Sequence, residues 1–553
     1  MAARPHSDAV GIDIMVTTVG IHIGHDGGCA VCVDGEIVVA IAEERLVRKK
    51  YAVGWWAALR YCMEAASLRL SDVDLFVFSN AGEPLPRNYD GDLARWGQGD
   101  IRSETVDHHL SHAVGGFCLS GFPEALVFVA DAGGNDGMTE SFHSFTRTGY
   151  ELLRRSCAQR PRFRGLGTTY EAFTNFLGFA DQESGKTMAL ASYGRPSRWS
   201  SPLFEVDAFG QIQGALEAPH QWGVARFGAR MALPWQKPFP PTNSDLAQDV
   251  AAYIQSELVR VLQESLLTVL RETQATNIVM SGGVTLNCAA NSILRQSLPA
   301  KFYAFPACSD TGLALGNALY GQWRLTGTFP NPCDKSMLYG REYGPREIRE
   351  ALDREPHTVP PGSIRRGDLR FENSTDVAAH AAQLISEGKI VAWWQQRSES
   401  GPRALGSRSL LASPNAPNMR DEINAKVKFR EWFRPFGASV LRSEAETLVE
   451  PSCDYPFMVE APRVRSEGFD QMRECIHVDG SSRIQTVSDG SLGSYARLLK
   501  RLSVVRGSSV VLNTSFNINE PIVETPGDAI ATFLRSGIDA LVLDSYVCTR
   551  VED

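Results

Sequence analysis

The sequence has no apolar run long enough to cross a bilayer, and Asp8 and Asp13 stand where a secretory signal would need an uninterrupted apolar core. A cytoplasmic protein that does not enter a membrane is expected. It also lacks an excess of positive charge. With 55 Lys and Arg against 64 Asp and Glu the net charge is −9, so no broad basic face for phosphate-dominated nucleic-acid binding is expected. Nor is there a disulfide framework. Eleven cysteines, an odd number scattered over 553 residues, fit a reducing compartment. The lone C-x-x-C, Cys29 and Cys32, has no second pair to complete a zinc site and reads as packing of a hairpin strand. No fixed-period repeat and no low-complexity tract stands out, and a chain this long must divide into more than one core.

What the sequence does contain is alternation. IMVTTVGIHIG, AVCV and EIVVAIAEE around Asp34-Gly35 read as strands joined by a hairpin turn, followed by a helix from Trp55 to about Leu68. Apolar strands at LFVFS, LVFVA, NIVM and FYAF then alternate with helices, the longest being DLAQDVAAYIQSELVRVLQESLLTVLRETQ. This argues for α/β layers. A first domain over residues 1–335, a Gly-, Pro- and charge-rich linker over 336–365 and a second α/β unit over 366–553 are expected.

The segment VDHHLSHA places His108 and His112 four apart, on one face of a helix. The strand LVFVA delivers Asp131 to the turn DAGGNDG, where its carboxylate would complete a nitrogen and oxygen shell suited to iron, zinc or manganese. Spacing alone equally describes histidines on a surface or at a helix end. Three turns with small residues, HDGG at 25–28, DAGG at 131–134 and SGGVTLN at 281–287, follow strands, as turns that cradle a nucleotide phosphate do. Asp131, Gly283 and Asn287 are the candidate contacts, with Gly167 of GLGTTYEAF beside them. Asp310 of SDTGLALG offers a second carboxylate to the same cleft. Lys186 follows a glycine in ESGKT, but the Walker spacing is missing, so it reads as structural or peripheral.

The second unit concentrates arginine in glycine-containing loops: ESGPRALGSRSLL, VKFREWFRPFG and SSRIQ supply Arg403, Arg408, Arg430, Arg434 and Arg483. Glu399 and Glu431 could pair with some of them. A planar guanidinium binds phosphate oxygens in pairs and keeps its charge, so this concentration points to a polyanion site.

Taken in order, the hairpin, HDGG, DHHLSHA, DAGG, SGGVTLN and SDTGLALG resemble the O-carbamoyltransferases of the nodulation-protein and antibiotic-biosynthesis family, over nearly the whole chain. The resemblance implies an α/β protein in two parts: a two-lobed actin-like ATPase (ASKHA-type) N-terminal domain and a YrdC-like C-terminal domain. It implies that His108, His112, Asp131 and Asp310 hold a metal, iron foremost, and that His25 is the general base for the acceptor hydroxyl. It further implies that Arg403, Arg434, Arg483, and Asn513 and Ser515 of NTSFN bind ATP and carbamoyl phosphate, with Mg²⁺ accompanying the ATP. Lys50, from AEERLVRKK, would reach that site from the first domain, although such basic runs are commonly solvated.

The implied activity is transfer of a carbamoyl group, through carbamoyl adenylate, to a hydroxylated small molecule of secondary metabolism. Where many members have glycine before EPIV this chain has Asn519, a residue that tolerates left-handed backbone. Two other classes stay in view. A tRNA threonylcarbamoyl transferase shares both domain types but fits poorly with the acidic balance. A non-enzymatic ATP switch of the actin or chaperone class would leave His25 and the arginine loops without a role. A homodimer is expected from apolar helix faces.

Overall fold

A computed structural model describes residues 15–80, 101–158, 165–199, 202–215, 241–354, 369–488 and 493–550. Strands β1 (Thr17–Ile23), β2 (Gly28–Val33) and β3 (Glu36–Ala42) form an antiparallel meander whose tight turn uses Asp34 and Gly35, both at positive φ. β4 (Leu75–Asn80) and β5 (Ser103–Thr105) add in parallel to give the order β3-β2-β1-β4-β5. The second sheet repeats this plan. An antiparallel meander of β6 (Glu124–Ala130), β7 (Met138–Thr146) and β8 (Gly149–Cys157) is extended in parallel, beyond the small hairpin β9 (Phe204–Val206) and β10 (Ile212–Gly214), by β11 (Asn277–Ser281) and β12 (Lys301–Ala304). Two lobes of one topology agree with the two-lobed domain expected here. The duplication lies in strand order, so it leaves no periodic sequence signal.

β1 and β4 are buried almost throughout, as strands covered on both faces must be. Cys29 and Cys32 pack inside β2 as small apolar residues. The long helix forms as its pattern requires: Ser244 caps the first turn by accepting from Ala247 N, and Val250, Ile254, Leu258, Val261 and Leu262 are buried along one stripe of Asp245–Thr273.

Two further helices cross at the centre of the first domain. His108–Ser120 starts at Asp107, whose side chain accepts from Leu110 N, and stops at Gly121 in the left-handed region. Leu313–Thr326 crosses it where Gly316 faces Ser111: a methyl group on Gly316 would lie 2.0 Å from the Ser111 carbonyl oxygen. Ser111 Oγ reaches Asn317 Oδ1 at 2.6 Å and the Leu313 carbonyl at 3.0 Å. This approach sets the distance between the histidines on one helix and Asp310, just before the other. Gly316→Val should therefore cost about 3 kcal/mol of stability by overpacking, read from a denaturant melt, and should lower metal uptake as well.

The second unit is one mixed sheet. Its strands are β13 (Leu369–Asn373), β14 (Val391–Trp394), β15 (Arg408–Ala412), β16 (Gly437–Leu441), β19 (Ile484–Val487), β20 (Val511–Ser515), β21 (Ala540–Leu543) and β22 (Tyr546–Arg550), in the order β13-β22-β21-β14-β15-β20-β16-β19. β17 (Val449–Glu450) and β18 (Arg463–Val464) pair separately. Trp393 and Trp394, on opposite faces of β14, are buried in the two cores that flank the sheet.

The stretch expected as a linker is packed as far as residue 354. Met337 and Tyr339 are buried in the core of the first part, while Ile348 and Leu352, on the helix Pro345–Asp353, enter that of the second. The rest of that stretch, 355–365, lies outside the described residues. The basic run 45–50 is built in at its two arginines, while Lys49 and Lys50 are exposed. Arg45 is buried and donates to the Gly401 carbonyl at 2.9 Å, and Arg48 donates to the carbonyls of Pro521 at 2.7 Å and Ile522 at 2.8 Å. Tyr61 of the first domain donates to Glu524 Oε1 at 2.7 Å, which Tyr343 also reaches at 3.2 Å. Among the described residues no helix is long and apolar enough to cross a membrane.

Candidate functional site

His108 and His112 are buried one turn apart on their helix, and Asp131 leaves the end of β6 directly beneath them. Asp310 begins the short turn that feeds the helix Leu313–Thr326. Each of the four offers a ligand atom within 4.8 Å of the others. His112 Nε2 lies 3.1 Å from Asp131 Oδ2 and 3.3 Å from Asp310 Oδ1, and His108 Nε2 lies 3.6 Å from the same Asp310 oxygen. Both ring nitrogens of both histidines are buried without a hydrogen-bond partner, so these are close approaches that lack hydrogen-bond geometry. Orphaned buried imidazoles facing two carboxylates fit a metal of intermediate hardness. The middle histidine of the motif, His109, turns away and bonds Ser141 Oγ through Nδ1 at 2.8 Å.

The protonation pattern follows from this crowding. Burial lowers His108, and its neighbour His112 adds to that. At His112 burial opposes the charged form, yet the carboxylates of Asp131 and Asp310 outweigh it and lift the imidazole to about 9. Burial would raise Asp310, but His108, His112 and His22 hold it well below the usual carboxylate range. A cluster that binds protons this unevenly is poised to exchange them for a cation. His108→Ala should lower bound transition metal in elemental analysis of the purified protein; unchanged metal content would remove His108 from the shell.

His25 sits beside this cluster, in the turn between β1 and β2. Its side chain is 49% exposed, enough for an acceptor to reach it. Asp26, at positive φ, accepts from Nδ1 at 3.4 Å and turns Nε2 toward Asp310 Oδ2, 3.7 Å away. The Asp26 hydrogen bond, with help from Asp310 and Asp131, raises the imidazole to about 9 against partial burial.

A cleft of about 590 Å³ is lined at once by His25, Asp131 and Asp310 and by Lys50, Arg403, Arg430, Arg434 and Ser515. Gly167, Gly283 and Asn287 also line it. The Gly283 N–H donates to Asp131 Oδ2 at 2.9 Å, and a side chain on Gly167 would meet the Asp131 backbone at 2.9 Å, so both glycines hold the DAGG turn in place. Asn287 exchanges amide hydrogen bonds with Gln255, whose Oε1 also takes the Tyr170 hydroxyl at 2.8 Å.

Around the arginines of this cleft the field is positive. Burial and the mutual repulsion of Arg403, Arg430, Arg434 and Arg483 disfavour the charged forms of Arg430 and Arg483, and Lys50 is pulled down by burial, Arg430 and Arg434. A guanidinium does not give up its proton at working pH, so this arrangement demands an anion. Among the described residues no carboxylate lies in ion-pair distance of Arg403, Arg430 or Arg483, while Arg434 reaches Glu431 at 3.7 Å. Lys186, read as peripheral, stands on the cleft wall, bridging Glu183 and Glu431 at 2.6 Å each. Arg408 belongs to the scaffold: it is buried over the Trp394 ring and donates to the carbonyls of Gln395, Gln396 and Glu524.

Two expected residues do not line the cleft. Arg483 is half-buried outside this lining and feels the charges of Arg403 and Arg434. Asn513 is fully buried and donates to Ser439 Oγ and the Tyr495 hydroxyl. Sequence reading overlooked Lys428, which is fully buried, and Asn517. Lys428 Nζ grips the Asn517 carbonyl at 2.8 Å and Oδ1 at 2.7 Å together with the Ser515 carbonyl, and so shapes the NTSFN loop. Its place in VKFREWFRPFG, the motif that also carries Arg430 and Arg434, was the available signal.

Comparison with known proteins adds the following. Residues 17–94 and 87–319 match the family described as Carbamoyltransferase N-terminus, and residues 382–550 match Carbamoyltransferase C-terminus. Nodulation protein NolNO of Sinorhizobium fredii is 32% identical over 95% of this chain and 79% of its own length. Nodulation protein NolO of Bradyrhizobium diazoefficiens is 33% identical over 80% of this chain and 79% of its own. The 3'-hydroxymethylcephem-O-carbamoyltransferase of Streptomyces clavuligerus is 27% identical over 90% of this chain and 92% of its own.

Proposed function

Because the chain belongs to the carbamoyltransferase family, we propose that it is an ATP-dependent O-carbamoyltransferase that activates carbamoyl phosphate in a YrdC-like C-terminal domain and passes the carbamoyl group to an acceptor hydroxyl at His25. In the first step carbamoyl phosphate, ATP and one water give carbamoyl adenylate, pyrophosphate and phosphate. Water attacks the phosphorus of carbamoyl phosphate and breaks its O–P bond to give carbamate and phosphate; the carbamate oxygen then bonds the α-phosphorus of ATP, and the α–β bridge breaks to release pyrophosphate. Arg403, Arg430 and Arg434 neutralise the phosphates, Arg483 adds to their field from outside the lining, and Lys50 and Ser515 complete the wall. Asn513 acts through the scaffold of that loop.

In the second step the acceptor oxygen bonds the carbamoyl carbon, the bond to AMP breaks, and the hydroxyl proton passes to His25 Nε2. A metal held by His108, His112, Asp131 and Asp310, for which we favour iron, would supply Lewis-acid polarisation of the carbonyl there. Asp26 orients the base. Gly167, Gly283 and Asn287 line the path of the nucleotide, and we place the acceptor among hydroxylated small molecules of the kind the cephem enzyme's name describes.

The observation that supports this reading best is the single cleft shared by the arginine field and His25. It would shelter a reactive adenylate from water between the two steps. The test is pyrophosphate release on incubation with ATP and carbamoyl phosphate, with either omitted as control. Release that needs both supports the reading, and none from folded protein overturns it.

A further inference from the structure

His22 is fully buried next to the cluster, and neither proposed step uses it. It stands opposite Ser79 in the parallel pairing of β1 with β4, so the two side chains share one face of the sheet, and its Nδ1 lies 3.1 Å from Ser79 Oγ. Its Nε2 has no hydrogen-bond partner and lies 3.8 Å from Asp310 Oδ2. On the far side, Asn317 Nδ2 donates to the Ile21 carbonyl at 2.7 Å and to Ser79 Oγ at 2.8 Å, while its Oδ1 takes the Ser111 hydroxyl.

These bonds settle the His22 tautomer by elimination. A backbone carbonyl only accepts, so the Ile21 contact sets which end of Asn317 carries its N–H groups. Ser79 Oγ is therefore an acceptor from Asn317, and its own hydroxyl proton needs an acceptor in a site closed to water. The His22 Nδ1 lone pair is the acceptor in reach. That leaves the imidazole proton on Nε2, aimed at Asp310 Oδ2.

We infer that His22 is a positioning residue for the metal centre: held by Asn317 and Ser79 as the Nε2–H tautomer, it turns its N–H to one oxygen of Asp310 so that the other faces His108 and His112. The inference rests on reading the cluster as a metal site. The asymmetry it requires is present, since Oδ1 lies 3.6 and 3.3 Å from His108 and His112 while Oδ2 lies toward His22 and His25. At 3.8 Å the contact is longer than a hydrogen bond, so it acts as an oriented dipole at the carboxylate. Partners of this kind around a metal typically change its affinity by about 10–100-fold.

The experiment is competition of the protein with a chelator for Fe²⁺ and Zn²⁺, giving a Kd for each variant, with melting of the metal-free proteins alongside. His22→Phe keeps ring volume and loses the donor; its Kd should rise about 10–100-fold. His22→Gln keeps an amide donor near the Nε2 position and should recover part of that loss. Ser79→Ala, a change of one oxygen that guards against misfolding of the ring variants, should weaken binding in the same direction and add little in a double variant with His22→Phe. Wild-type affinity in His22→Phe, equal losses in Phe and Gln, or strictly additive losses would overturn the role. Wild-type protein that binds neither metal would overturn the metal reading and the inference with it, a failure distinct from the others.

Discussion

His25→Asn should release pyrophosphate from ATP and carbamoyl phosphate at the wild-type rate while carbamoyl transfer to an acceptor falls by about 10²–10⁴-fold, the usual worth of a general base. The split between the two steps is the informative part, because in the proposed mechanism His25 serves transfer while the arginines lining the same cleft serve adenylation. Equal loss of both steps would contradict the assignment. A base must be neutral to accept a proton, and Asp26 raises this imidazole to about 9. A raised pKa keeps the proton on below that value, so transfer should speed up as pH rises from 7 toward 9. Asp26→Asn leaves an amide oxygen to accept from Nδ1 but removes the negative charge that stabilises the charged ring, so the rise should move to lower pH. A profile that stays in place would mean that Asp26 does not set the protonation of His25.

Arg403→Ala should lower pyrophosphate release by about 10²-fold or more, the scale on which removing one preorganised donor acts, and transfer should then fail for want of a carbamoyl donor. Supplying preformed carbamoyl adenylate should restore transfer. The basis is electrostatic. Arg403 lies in the cleft wall beside Arg434, without a carboxylate partner among the described residues, so its charge is available to a ligand rather than spent on a salt bridge. Undiminished pyrophosphate release would place the adenylating site elsewhere.

Much of this was legible in the sequence, for physical reasons that differ between the halves of the site. The His108, His112, Asp131 and Asp310 cluster rests on local rules: four-residue spacing puts His108 and His112 on one face, an Asp107 cap starts their helix, and strand ends deliver Asp131 and Asp310. The duplicated strand order, by contrast, is a property of pairing between distant segments, and composition does not carry it. His22 was missed because its role depends on Ser79 and Asn317, 57 and 295 residues away along the chain, meeting it across two elements. Arg483 and Asn513 carry the expected residue types in the expected motifs, yet their side chains lie outside the cleft lining; a motif gives chemistry and not which side of a loop faces the cavity. Lys186 shows the reverse, since a failed phosphate-loop spacing says nothing of whether the residue lines another cleft. The basic run at 45–50, of a kind commonly solvated, is so only in part: Arg45 is buried and Arg48 half-buried on carbonyl oxygens that no charge pattern reveals, Arg48 also nears Glu520 and Asp528, and Lys49 and Lys50 are exposed.

The carbonyls that Arg48 grips belong to Pro521 and Ile522, six and seven residues beyond Ser515 on the loop that lines the arginine-bearing cleft, and Tyr61 adds a grip on Glu524 just after them. The cleft surface of the second half is thus partly moulded by side chains that the first half contributes. For protein engineering this makes the two halves poor modules. A chimera that grafts a first domain with a new acceptor preference onto a foreign second domain would have to carry Arg48, Tyr61 and the 515–524 loop as one inherited unit, and a seam drawn through the intervening stretch would leave the grafted loop without its template.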